Sequence, residues 1–180
     1  IVSIPNEKQV QKLLDLSTQK SEKIIKDLKD KIIKLGGKPS NEDKDLLLQI
    51  KDLNKQLDKL SVGLILKDKS KNIIKDEDFN GIKIRFQKVL ELPFKDLRKL
   101  VDDGKKDLKE GILIIFAVNQ GKVGLAVGVT KKLESKFNAV ELVKRGSETI
   151  GGKGGGGRKD FAQAGGILVD KIEESFENMK

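Results

Sequence analysis

The chain has 180 residues, with neither cysteine nor histidine and a net charge of +9 from 37 basic and 28 acidic side chains. The two missing residue types exclude disulfides, thiol nucleophiles, imidazole bases and the usual zinc ligand sets, so we predict no catalytic and no metal-binding residue. A basic surface most often binds a polyanion, which makes nucleic acid the expected partner, while a lysine-rich composition can also reflect the genome alone.

Two features of the sequence concern membranes. No apolar run approaches the length needed to cross a bilayer, and the N-terminus lacks the charged and apolar regions of a signal peptide. We therefore expect a cytoplasmic protein with no membrane partner.

Residues 1–66 carry the patterns of two amphipathic helices. In the first, apolar or small residues recur every three or four positions at Val10, Leu14, Ser17, Ser21, Ile24, Leu28, Ile32 and Leu35. Gly36-Gly37 ends this helix, and residues 40–43 are typical of a helix start. The second stripe consists of Leu46, Ile50, Leu53, Leu57, Leu60 and Leu64. We predict an antiparallel hairpin, a coiled-coil-like arm that carries a domain or pairs with a second copy, unless the helices instead fold onto the core.

Residues 67–180 have the patterns of a small globular domain. Alternating apolar residues over 82–87 predict a strand after the turn at Asn80-Gly81, and a helix follows between Pro93 and Gly111. The apolar run 112–118 predicts a central strand. A turn and a second strand over 123–129 come next, and together the two strands predict a hairpin.

Two more helices complete the predicted domain. One bears Phe137, Val140 and Val143, and the other runs from Ile167 to about Phe176. The predicted fold class is α/β (α+β), in which the helical arm precedes a mixed sheet with helices packed on it.

Between these last two helices lies the glycine-rich stretch GGKGGGGRKDFAQAGG, residues 151–166. Glycines let backbone N–H groups converge into a nest that binds phosphate, and nearby cations strengthen such a site. The alternative is tight packing of a loop against a strand, with solvated basic residues. The order of residues is neither that of a P-loop nor that of a Rossmann fingerprint. The candidate nucleic-acid-binding residues are Gly151, Gly152, Lys153, Gly154, Gly155, Gly156, Gly157, Arg158, Lys159, Asp160, Phe161 and Gln163.

The glycine-rich stretch resembles the signature of the C-terminal domain of alanyl-tRNA synthetases, a glycine run followed by Arg-Pro-Asp-Met-Ala-Gln-Ala-Gly-Gly. The family's proline and methionine are Lys159 and Phe161 here, and the glycine run is one residue longer. Upstream, the segments 97–108, 121–133 and 139–142 resemble the same domain in the same order. This glycine-rich domain also accompanies DHH-type phosphoesterases.

The resemblance implies a C-terminal module of an alanine-tRNA ligase that grips the outer corner of tRNA and carries neither active site. Its expected partners are alanine-specific tRNA, the catalytic and editing domains of the same chain, and a second copy of the module. No cofactor is expected in this segment, because the family uses ATP, Mg and Zn in other domains. Two alternatives stay open, a nucleic-acid-binding accessory domain of a DHH-type phosphoesterase and a structural dimerisation arm with an inert cap.

Overall fold

The computed structural model describes residues 7–40 and 45–180. The chain divides into two compact units, residues 1–64 and residues 65–180. The predicted start of the second helix, residues 40–43, lies outside the described residues from position 41 onward.

The first unit is built from helices. Helix α1 is Glu7–Lys34 and helix α2 is Leu46–Lys67. They share an apolar cluster, formed by buried Ile25, Leu28, Ile32 and Leu53 with Leu46, Ile50, Leu57 and Leu60 packed against it. The predicted stripe of the second helix is thus used within the unit except at Leu64, which is 46% exposed. The predicted stripe of α1 contained Ile24, but Ile24 is 46% exposed and its neighbour Ile25 is buried instead.

The chain that follows α1 is fixed against the middle of α2. The side chain of Gln56 donates a hydrogen bond to the carbonyl of Lys38, at 2.7 Å, and accepts one from the amide of Ser40, at 3.2 Å. These bonds satisfy polar backbone groups in a segment with no helical partners of its own.

The second unit contains a six-stranded mixed sheet. Its strands are β1 Asn72–Phe79, β2 Ile82–Leu90, β3 Ile112–Asn119, β4 Lys122–Val129, β5 Gly155–Arg158 and β6 Phe161–Gly166, in the spatial order β1-β2-β3-β4-β6-β5. Only β2 and β3 pair in parallel, because helix α3, Leu97–Leu108, carries the chain back between them. The predicted fold class is confirmed: two N-terminal helices precede a mixed sheet with helices packed on it.

Helices cover the sheet on both faces. Helices α4, Ala139–Thr149, and α5, Ile172–Glu177, pack on one face, where Phe86 contacts Phe116 and Phe176. Helix α3 packs on the other face. It approaches β4 closely at Gly124, where an added Cβ would lie 2.8 Å from side-chain carbons of Leu97 and Phe94.

Besides the glycine-rich stretch, the element boundaries differ from the predictions at three places. Strand β1 was not predicted, since its sequence NIIKDEDF does not alternate. Helix α4 starts after Phe137, with Asn138 as its N-cap. The last helix starts at Ile172, because the preceding chain forms β6 and a 3₁₀ turn over Val169–Lys171.

Candidate nucleic-acid interface

The glycine-rich stretch is a β-hairpin. Helix α4 ends at Thr149, and the amide of Gly152 then donates a hydrogen bond to the carbonyl of Ser147, at 2.7 Å. Strand β5 follows and pairs with β6, with Arg158 opposite Phe161 across a two-residue turn. Amides of an extended strand alternate in direction, so those of β5 do not converge as a nest requires.

Three neighbouring elements hold the turn of this hairpin. The carbonyl of Asp160 accepts hydrogen bonds from the amide of Val129, at 3.0 Å, and from the ammonium of Lys105, at 3.1 Å. The carbonyl of Lys159 accepts one from the amide of Ala139, at 2.9 Å. The turn is therefore fixed to β4, α3 and the start of α4.

The Asp160 carboxylate joins two cations across this turn. Arg158 Nε donates to its Oδ1 at 3.1 Å, and Lys105 Nζ lies 3.4 Å from its Oδ2. Burial raises the pKa of Asp160, but the two cations outweigh burial and hold that pKa below its usual value. Arg158 thus braces the hairpin while its side chain stays 68% exposed, so it keeps donors for a ligand.

Three glycines of the run are explained by packing. A Cβ on Gly155 would overlap Val143 of α4 and lie 2.6 Å from the carbonyl oxygen of Gln163. A Cβ on Gly157 would overlap the carbonyl of Phe161, and one on Gly152 would overlap the carbonyl of Gly165. Only glycine fits these positions without movement of the backbone.

Two other glycines have no such explanation. A Cβ on Gly156 would meet no atom within 4 Å, and one on Gly165 would meet only the carbonyl of Val123 at 3.8 Å. Neither glycine has a positive φ. Both are exposed, and they flank the exposed Gln163, which pairs directly with Gly156 across the two strands. The surface around Gln163 is therefore bare backbone, although the fold tolerates side chains there.

A groove beside α3 is lined by Gln163 and Gly165, and Gly156 lies next to it, opposite Gln163 in the strand pair. We call it the glycine groove and define it by its lining residues Phe94, Arg98, Gly124, Gln163 and Gly165. Its volume is about 580 Å³. The guanidinium of Arg98 lies over the ring of Phe161, 5.4 Å from its centre. Because Phe161 is only 7% exposed, it packs inward and presents no free face to a base.

Lysines surround a second depression toward the C-terminal end of α3. Its lining includes Lys105, Lys106, Lys109 and Lys131, together with Asp102. Two further lysines flank the hairpin, Lys153 before β5 and Lys159 in the turn, and neither forms an ion pair within residues 7–40 and 45–180. The groove and the hairpin are thus edged by positive charge.

The structure brings most of the candidate residues together on this hairpin. Arg158, Lys159, Asp160 and Gln163 lie on β5, the turn and β6, while Lys153 precedes them. The sequence analysis missed Arg98 and Lys105 of α3. Their seven-residue spacing beside the apolar stripe of Leu97, Val101 and Leu108 was a usable signal, since it places both cations next to the face that packs on the sheet.

Two other kinds of site were sought in the described part of the chain. It holds no group of three or more acidic side chains placed to bind a metal ion. None of its helices is both long enough and apolar enough to cross a membrane.

The family model of the DHHA1 domain matches residues 81–180. This match spans more than half of the chain, so the chain belongs to the DHHA1 domain family.

Individual relatives agree with this assignment. Alanine–tRNA ligase of Parvibaculum lavamentivorans is 46% identical over 105 residues, which cover 58% of this chain and 12% of that protein. The ligase of Rhodopseudomonas palustris is 50% identical over 101 residues, covering 56% and 11%. The crystal structure of the C-Ala domain from Aquifex aeolicus alanyl-tRNA synthetase matches with a TM-score of 0.54 and 30% identity, covering 57% of this chain and 92% of that one.

These matches confirm the resemblance to the C-terminal domain of alanyl-tRNA synthetases. The region of similarity spans about one eighth of the length of the ligases, 12% in the first of them.

Proposed function

We propose that this chain is a tRNA-binding module of an alanine–tRNA ligase, which holds folded tRNA in the glycine groove and on the surrounding cations. The proposal is supported by membership of the DHHA1 family and by similarity to proteins named alanine–tRNA ligase. Aminoacylation and editing belong to other domains of the ligase, which are the partners of this module within one chain.

The observation that carries the proposal is the pair of open glycines, Gly156 and Gly165. Packing and backbone geometry do not require glycine at either position. Exposed backbone without side chains lets the backbone of a partner molecule approach closely. Because the fold does not need glycine at these two positions, we take the glycines as a sign of such a partner. A nucleic acid strand is such a partner.

The chemistry of the edges suits RNA. Phosphates bind to exposed Arg158, Lys153 and Lys159, which contribute charge without reading sequence. The amide of Gln163 can both donate and accept hydrogen bonds, as the 2′-hydroxyl of RNA does. RNA held in this way is recognised mainly by its shape.

Self-association is a second part of the proposal. The α2 residues Leu46, Ile50, Leu53, Leu57 and Leu60 already pack inside the first unit. The N-terminal half of α1 exposes a row at helical spacing, Val10, Leu13 and Leu14, by 41%, 61% and 56%. A row of apolar side chains at helical spacing gains by pairing with a second copy. The dimer contact therefore lies in α1.

The test is a titration of the chain with tRNA at several salt concentrations, using Gly156→Leu and Gly63→Leu as a matched pair. Both glycines face open space, but Gly63 lies in α2 and belongs to the other compact unit. We expect Gly156→Leu to weaken binding by about tenfold or more, the equivalent of one good contact. Gly63→Leu leaves the affinity unchanged.

A charge variant provides the second arm. Arg158→Gln removes one phosphate contact and lowers the slope of log affinity against log salt by somewhat less than about one unit. Equal tRNA affinities for the parent and Gly156→Leu, or no measurable binding by the parent, would refute the proposal.

A further inference from the structure

A third cavity, distinct from the glycine groove and from the lysine-lined depression, lies on the opposite face of the sheet from the glycine groove. It is lined by Phe79, Ile82, Lys136, Phe137 and Arg145, with Met179 and apolar residues of β2 beneath, and we call it the aromatic cleft. Its volume is about 320 Å³. This volume is near the lower end of the range for small-molecule sites, so the cleft suits a ligand with one ring system.

Two phenylalanines give the cleft its apolar character. Phe79 ends strand β1 and is 44% exposed, and Phe137 is half-buried just before α4. Phe137 also packs against the core, so it is held in place, while the exposed ring of Phe79 provides a flat surface on which a planar ligand can stack.

Two cations lie on the rim of the cleft. Lys136 and Arg145 form no ion pair within residues 7–40 and 45–180. Of the other charged groups of the cleft, Lys180 pairs with Glu77 and Glu177, whereas Glu141 accepts a hydrogen bond only from the neutral amide of Asn138, at 3.3 Å, and keeps its negative charge. The two cations on the rim thus outnumber this one carboxylate. The cleft therefore offers two uncommitted positive charges beside two aromatic rings.

We propose that the aromatic cleft binds a nucleoside monophosphate, either as a free nucleotide or as an unpaired nucleotide of RNA. The base stacks on Phe79 and Phe137, and the phosphate binds Lys136 and Arg145, whose guanidinium fork matches phosphate oxygens. A nucleotide combines a planar ring with a phosphate. The proposal does not depend on the function proposed for the glycine groove.

The test uses tryptophan as a reporter, because the chain contains no tryptophan and no tyrosine. Fluorescence of the full chain carrying Phe79→Trp is titrated with AMP and with the single-stranded ribo-oligonucleotide A6. The matched control is Phe94→Trp, which places the reporter in the glycine groove. We expect saturable quenching of the Phe79→Trp reporter by AMP and none of the Phe94→Trp reporter.

Neighbouring cations of α4 supply the second control. In the Phe79→Trp background, Arg145→Gln weakens AMP binding by about tenfold, the loss of one charge-assisted contact. Lys144→Gln, one residue away and outside the cleft, changes it less than about twofold. If A6 binds at least about tenfold more tightly than AMP, the ligand is an unpaired RNA nucleotide, and if the two bind equally, a free nucleotide suffices.

Two outcomes would overturn the proposal. One is quenching by AMP that stays linear without saturation, and the other is an equal loss of affinity in Arg145→Gln and Lys144→Gln. Neither outcome bears on tRNA binding by Gly156→Leu, so this proposal and the proposed function fail separately.

Discussion

Adjacent glycines of β5 should respond in opposite ways to the same substitution. Gly155→Ala places a methyl group against Val143 and 2.6 Å from the carbonyl oxygen of Gln163, and that oxygen cannot move without moving β6. Overpacking of this kind costs about 2–3 kcal/mol. Gly156→Ala meets no atom within 4 Å and needs no positive φ, so it stabilises by about 0.4–1 kcal/mol, through the unfolded state.

The melting temperature converts these energies into a measurable quantity. Residues 65–180 form the unit that contains β5. With an unfolding entropy of about 2.1 cal/mol/K per residue, the melting temperature of a unit of this size shifts by about 4 °C for each kcal/mol of change in the free energy of unfolding. We expect Gly155→Ala to melt about 8–12 °C below the parent, and Gly156→Ala to melt about 2–4 °C above it.

Differential scanning calorimetry is the suitable assay, since the chain has no tryptophan or tyrosine to report unfolding by fluorescence. A Gly155→Ala variant that melts within about 2 °C of the parent would contradict the close approach of β5 to α4. A loss of stability in Gly156→Ala would show that this glycine too is required for packing, and would remove the argument for an open surface.

Three further predictions follow from the structure. Because Lys105 and Arg158 lower the pKa of Asp160, the ion pairs of Asp160 stabilise the fold above about pH 4, and this stabilisation is lost as the pH falls through the lowered pKa. Measured by calorimetry, Asp160→Asn should lower the free energy of unfolding by about 1–2 kcal/mol at pH 7 and should make the stability less dependent on acid pH. Purified chain should neither charge tRNA with alanine, nor consume ATP, nor deacylate mischarged tRNA, and metal-dependent deacylation would contradict this. In equilibrium sedimentation the chain should form a dimer that Leu13→Glu converts to a monomer, whereas a monomeric parent at all concentrations would exclude the contact in α1.

Local patterns predicted the elements whose sequence agrees with their environment. The run 112–118 became the buried strand β3, since a strand covered on both faces needs apolar side chains throughout. The signals at Asn80-Gly81 and in the stripe of α2 were likewise sufficient, because turn chemistry and helical periodicity are local.

The hairpin of the candidate site was not predictable in the same way. Glycine has a low strand propensity, and the extended conformation of β5 is imposed by its pairing with β6 and its contact with Val143. The sequence also left open whether the glycines bind a ligand or pack. The structure divides them: Gly155 and Gly157 pack against their neighbours, while Gly156 is open. That division depends on contacts from α4 and β6, which no local pattern contains.

The position of β6 in the sheet has a consequence for how the module is made. Each of its residues pairs with a β4 residue at least 33 positions earlier in the chain, as Phe161 does with Gly128. Contacts of such separation close a long loop and are expected to form after local ones, and β5 also packs closely on Val143 of α4. We therefore expect the local β3–β4 hairpin to form before the glycine groove. Because Gln163, Ala164 and Gly165 supply one side of the groove, the groove is complete only after β6 has joined the sheet.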